Sequence, residues 1–201
     1  MVKNLVQGFG VNDASYVTEK REELPKVNGK RKSRTVWVCP YYKKWRGIIV
    51  RSYDTSRPAY KDCYVCEEWR YLSNFIRWVN SQPDMDWKNK QLDKDILFVG
   101  NKVYSPDTCC FVPQNVNKFP TDSAAIRGKY MIGVSPSVSK KNPYLSQCED
   151  PLGVRSTYLG VYPTEIEAHL AWKSKKHGYA LELAELENDP RIKEALSIMY
   201  K

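Results

Sequence analysis

Two spacings in this chain suit chemistry: the aspartates of Asp93-Lys94-Asp95 and the cysteines of Cys63-Tyr64-Val65-Cys66. Acids two residues apart on a strand share one face, an arrangement that suits a divalent cation or a proton-handling pair. A polar hairpin whose acids are simply solvated fits the same spacing. The aspartates lie in the stretch Gln91 to Asn117, QLDKDILFVGNKVYSPDTCCFVPQNVN. There an apolar-flanked acidic patch runs into a Gly100-Asn101-Lys102 turn, then a helix or turn start at Tyr104 to Asp107, then apolar Cys109 to Val112. The two-residue gap between Cys63 and Cys66 lets both sulfurs reach one zinc. Cys39 with Cys109 or Cys110 would complete a four-ligand site, and buried free thiols are the competing reading. Cys148 belongs to another domain and reads as core. The two histidines, His169 and His177, stand eight apart in a predicted helix, wider than the four that lets two rings share a metal easily.

The elements around these residues follow from pattern. Residues 1–34 are polar, carry Gly8, Gly10, Pro25 and Gly29, and end in the basic run Gly29-Lys30-Arg31-Lys32-Ser33-Arg34. They read as a flexible arm whose cluster, Arg31 and Lys32 included, contacts phosphate or is simply solvated. In YYKKWRGIIVRSY, residues 41–53, Trp45, Ile48, Ile49 and Tyr53 form one helical stripe. Lys43, Lys44, Arg46 and Arg51 lie around it, which makes a basic amphipathic helix. Glu67 to Ser81 spaces Trp69, Leu72, Phe75, Ile76 and Val79 by three or four, with acids in its first turn, and predicts a helix ended by Pro83. Turn residues at Lys118 to Lys129 mark a boundary. Beyond it, 130–138, 144–149 and 155–162 read as short strands. A long helix then starts at Thr164, weakened at Gly178, and a short one follows Pro190.

With 201 residues the chain can bury a core of one large or two small domains, and 32 Lys and Arg against 23 Asp and Glu give +9. That balance favours an anionic partner, with nucleic acid first. No apolar run approaches the roughly 20 residues of a membrane span, and the first residues lack the pattern of a signal peptide, so a cytoplasmic location is expected.

The run LDKD, GNKVYSPDTC, FVPQ resembles the core of an HNH-related family frequent in bacteriophage genomes. The likeness extends upstream through Cys39-Pro40, Trp45, Arg51, Tyr53 and Val65 to Trp69, with Ser73-Asn74-Phe75 and Trp78 behind it, and covers about two thirds of the chain. It implies a ββα-metal related module over 35–119. Asp93 falls where that family places a metal-binding acid, Lys94 where it has the general-base histidine, and Thr108 where it has an asparagine or histidine. The chain departs from the family in supplying no histidine locally, and a lysine of ordinary pKa is a poor base at neutral pH. The resemblance therefore implies either an unorthodox site of Asp93, Lys94 and Asp95 on magnesium, or a nuclease scaffold kept for binding.

A second resemblance lies in 125–201. Ile132-Gly133-Val134, the three strands, and the closing Tyr158-Leu159-Gly160 through Glu165 and Glu167-Ala168 look like a phage-type version of the Apetala and ethylene-response-factor DNA-binding domain. It implies a three-stranded antiparallel sheet packed on a helix, the sheet lying in the major groove. Arg155 matches a contacting arginine and Tyr144 and Tyr158 match contacting tryptophans, while Ser135 and Ser137 replace two further arginines. Lys140, Lys141, Lys173, Lys175 and Lys176 would hold phosphates.

Together these give an α+β chain of three parts, a basic arm (1–34), an HNH-like module (35–119) and a sheet-plus-helix domain (125–201). The expected function is phage-type double-stranded DNA binding, with metal-dependent cleavage of the homing-endonuclease kind as its enzymatic version. Occupancy of DNA without turnover, for regulation or against host machinery, is the second reading. A protein-interaction component that uses its charge on an acidic protein is the third.

Overall fold

The structure is a computed structural model that describes residues 5–83, 85–121, 128–153 and 155–201. It is a mixed α+β chain built of small sheets, and it divides into two compact units, Met1–Cys109 and Cys110–Lys201. The division falls before the turn-rich stretch that the sequence marks as a boundary, part of which (122–127) lies outside the described residues.

The first unit corrects the expectation of a flexible arm. Strands β1 (Glu19–Val27) and β2 (Lys30–Val38) form an antiparallel hairpin. Its two-residue loop is Asn28-Gly29, with φ of 51° and 74°. Two positive φ values in succession give a turn whose twist matches that of the flanking strands, and Asn-Gly is the pair that adopts it at least cost. The hairpin leads into α1 (Pro40–Tyr53), whose proline stands in the first turn, where its missing N–H is no loss. The expected stripe is buried at Trp45, Ile48 and Ile49, each 0 % exposed, and Tyr53 is half-buried.

The helix expected over Glu67 to Ser81 is divided. Glu68–Arg70 form a single 3-10 turn, Tyr71 is extended, and α2 runs over Leu72–Asn80. The cause is a competing backbone: the Val11 N–H donates to the Arg70 carbonyl (2.8 Å), and the Leu72 N–H donates to the Val11 carbonyl (3.1 Å). Asp13 then accepts from the Ser73 N–H (2.9 Å) and hydroxyl (2.5 Å), which caps α2. Trp69 is the hub of this core, against Phe75 (5.1 Å between centroids) and Trp78 (4.6 Å), and its carbonyl accepts from Trp45 Nε1–H at 2.6 Å. The unit is completed by β3 (Tyr64–Val65), which pairs in parallel with β5 (Val103–Tyr104), and by β4 (Gln91–Asp93).

The second unit opens with β6 (Cys110–Val112) and α3 (Gln114–Lys118). Its centre is an antiparallel sheet of β7 (Val134–Pro136), β8 (Tyr144–Glu149) and β9 (Ser156–Tyr162), in the order β7-β8-β9, against the long helix α4 (Glu165–Leu186). Thr164 and Glu167 form a capping box at the start of α4. His169 and His177 anchor the helix, each through Nδ1 on a carbonyl, of Ile132 (2.9 Å) and Met199 (2.8 Å). The last helix, α5 (Pro190–Ile198), is capped by Asp189 and buries Ile192 and Leu196. Among the described residues no helix is long and apolar enough to cross a membrane.

Two glycines of this unit predict opposite outcomes. At Gly133, with φ of 81°, an added Cβ would fall 2.0 Å from Trp172 Cγ, so Gly133→Ala should destabilise the fold by about 2 to 3 kcal/mol. Gly178, inside α4, has nothing within 4 Å of that position. Gly178→Ala should therefore stabilise by about 0.5 to 1 kcal/mol. Urea unfolding of both variants checks the pair, and equal effects would refute the packing of Trp172 on Gly133.

Candidate nucleic-acid interface

The Asp93 to Asp95 spacing does not act as a strand spacing, because β4 ends at Asp93 and the chain bends from Lys94 onward. Asp93 Oδ1 turns back on its own loop and accepts the N–H groups of Asp95 (2.8 Å) and Ile96 (2.7 Å). Burial pushes its carboxyl above its ordinary pKa in spite of those bonds. Lys94, only 7 % exposed, donates to both oxygens of Asp95 (2.6 and 2.8 Å) and to the Asn101 carbonyl (2.6 Å). Asn101 donates in turn to the carbonyls of Lys94 and Val103, both at 2.7 Å. Thr108 closes the next turn, donating to the Val103 carbonyl (2.7 Å) and meeting the Ser105 hydroxyl at 2.9 Å. The four residues expected to carry catalysis thus hold the loop 93–108 in shape. Asp95 is paired with Lys94 and Asp93 Oδ1 with the backbone, and among the described residues no three acids, His or Cys are placed to hold magnesium.

Nor are the cysteines gathered for zinc. Cys39, Cys63 and Cys109 are buried and Cys66 half-buried, and among the described residues no three His, Cys, Asp or Glu side chains are placed to hold a metal ion. Burial pushes the Cys109 thiol up to about 12 and raises Cys66 as well, so both are protonated thiols at neutral pH.

On the sheet of the second unit, cross-strand pairing sorts the expected DNA contacts. Tyr144, Ser146 and Cys148 share the face that carries buried Ser146 and Cys148, and Tyr144 is half-buried there with its ring edge to Tyr130 at 6.4 Å. Tyr144 thus lies on the opposite face of the sheet from Tyr158. Tyr158, 62 % exposed and opposite Gln147, is on the open face, which also carries Glu149 but no basic strand residue. Lys140, Lys141 and Arg155 are exposed in the turns, and Lys173 is half-buried on α4. Lys175 and Lys176 are drawn over the rings of Tyr179 (4.1 Å) and Phe119 (3.9 Å), which makes them packing residues as much as cations.

Positive charge concentrates elsewhere, on α1 of the first unit. Between β2 and α1 lies an open trough of about 750 Å3. A second groove of about 460 Å3 adjoins it, the two sharing Val38, Lys43, Gly47 and Arg51. Their cations are Lys43, Lys44, Arg46, Arg51, Arg57 and Lys88; among the described residues no acid lines either groove, though Glu19 reaches Arg46 at 3.8 Å. Gly47, with nothing within 4 Å of its missing Cβ, leaves the floor open. Several of these side chains are pre-set. The Arg51 guanidinium lies over Tyr104 (5.5 Å) and Tyr60 (5.7 Å), Arg57 pairs with Asp54 (3.3 Å), and Lys44 donates to the Lys90 carbonyl. Burial, together with the like charges of Lys43 and Arg51, lowers the pKa of Lys44. An anion placed here relieves that repulsion. The sequence already shows Lys43, Lys44, Arg46 and Arg51 ringing the helix, but only the hairpin alongside turns them into a channel. A flexible arm over 1–34 would leave no such channel.

The loop lock generates its own test. Lys94→Met removes three charge-assisted or polar hydrogen bonds from a buried site and should cost about 2 kcal/mol in urea unfolding. Wild-type stability in that variant would contradict the lock.

Comparison of the chain with protein-family models, with curated proteins and with solved structures finds no match. The functional argument therefore rests on the residues themselves.

Proposed function

We propose that this chain is a double-stranded DNA-binding protein that grips the phosphate backbone electrostatically and acts by occupying DNA, not by cutting it. The observation that carries the reading is the cationic trough on α1, where six cations outnumber the two acids, Glu19 and Asp54, that pair with them, in a chain of net charge +9. A row of lysines and arginines with partly satisfied, partly open donors exchanges condensed counterions for phosphate contacts, a gain that is entropic and falls as salt rises. Exposed Lys140, Lys141 and Arg155 add cations on the second unit. Occupancy is favoured over hydrolysis because Asp93, Lys94, Asp95 and Thr108 are engaged in holding their loop. Such a protein would serve regulation, or would block other machinery from the DNA it covers.

Fluorescence anisotropy of a labelled duplex at several salt concentrations tests this. Affinity should fall linearly with salt on logarithmic axes, and Lys43→Ala or Lys88→Ala should each lower the slope by about 1. Absence of duplex binding at physiological salt would overturn the reading in favour of an acidic protein partner. Supercoiled plasmid held with magnesium or manganese should stay intact. Nicking that disappears in Asp93→Ala would replace occupancy by cleavage.

A further inference from the structure

The hairpin β1–β2 is an unusual element for a core to maintain. Apart from half-buried Glu19 and Val38, every residue of the two strands whose side chain is described is exposed. An isolated two-stranded hairpin is at best marginally stable in water, so this one contributes little to the fold it is attached to. Its charges are not spread evenly. The pairs Arg21–Thr35 and Glu23–Ser33 lie on one face with Glu19, which hydrogen-bonds both Arg21 (2.5 Å) and Thr35 (3.1 Å). Alternation along β2 puts Arg31 there too, so two cations meet two glutamates and the face is neutral. The other face carries Glu22 opposite Arg34 and Leu24 opposite Lys32. Alternation along β1 puts Lys20 on that face too, and its ammonium lies 5.8 Å over the Trp37 ring. Among the described residues that the register assigns to this face, Lys20, Lys32 and Arg34 stand against the single glutamate Glu22.

We infer that β1–β2 is a ribbon that enters the major groove of duplex DNA with the Lys20, Lys32, Arg34 and Trp37 face toward the bases and groove walls. This rests on the DNA-binding reading above and adds the reading element and the groove. Shape supports it: strands of nine residues span about 30 Å, and two of them side by side fit a groove of about 12 Å. Charge supports it as well. Charges that only protected an exposed edge from pairing with other strands would need no bias between faces, whereas a polyanion on one side selects the bias seen. The Glu22–Arg34 pair (2.9 Å) is exposed on both members, so Arg34 exchanges it for phosphate or a guanine edge at little cost. At its base the ribbon forms one wall of the trough through Thr35 to Val38. A duplex seated on the ribbon would therefore meet the α1 cations with its flanking phosphates.

Dimethyl sulfate protection reads groove occupancy directly, because guanine N7 is exposed in the major groove. On a short mixed-sequence duplex the intact chain should protect guanine N7. Lys32→Ala/Arg34→Ala, whose side chains are exposed and leave folding alone, should lose that protection and bind roughly tenfold more weakly. Lys43→Ala/Lys88→Ala should bind more weakly yet keep the protection. Duplex binding by the wild type without N7 protection, or wild-type affinity in the ribbon variant, would overturn the ribbon while leaving the DNA reading in place. If the intact chain does not bind the duplex at all, both fall together.

Discussion

The first unit depends on one buried contact, the Trp45 indole N–H donating to the Trp69 carbonyl at 2.6 Å, with both rings fully excluded from water. It fixes the rotation of α1 about its own axis. With Trp45, Ile48 and Ile49 turned inward, Lys43, Arg46 and Arg51 have nowhere to go but outward or along the rim. The polar bond and the apolar stripe act together. Burying the two indoles favours the closed core, and the hydrogen bond favours one rotation of the helix within it. Gly10 belongs to the same constraint, since a Cβ there would come within 2.8 Å of the Trp45 ring. The outward row of cations on α1 is thus a by-product of how the core is closed.

The loop after β4 shows the same economy in polar form. A buried lysine is expensive unless every donor is met, and Lys94 meets an aspartate and a carbonyl. Asn101 ties the two ends of the loop with three bonds to backbone groups. Residues of types that serve nuclease chemistry elsewhere are here spent on shape, and the loop carries Phe98 and Val99 outward, 56 % and 92 % exposed.

Much of the architecture was legible beforehand, and its misses have physical reasons. Strand β8 and the sheet-then-helix order of the second unit follow from alternation and turn residues, and the Thr164 start of α4 is written in its capping box. Helix α1 follows from its stripe. The hairpin was missed because its strands are polar on both faces, so alternation gives no signal, and the decisive pair, Asn28-Gly29, was read only as a flexible glycine. The break at Tyr71 was illegible because its cause, the backbone of Val11, is far away in sequence. Two aspartates two residues apart say nothing about where a strand stops. For the same reason the expected site and the trough differ: the first was read from residue types, while the second exists only once β2 lies beside α1.

The central claim is that the nucleic-acid contact surface of the first unit is the face built from β1, β2 and the outer side of α1. Amide hydrogen exchange with and without a saturating duplex tests it most directly. The account predicts slowed exchange across Glu19–Val38 and into the start of α1, with loop 93–108 unchanged. Protection confined to loop 93–108, or to the sheet β7–β9 with the ribbon untouched, would contradict it.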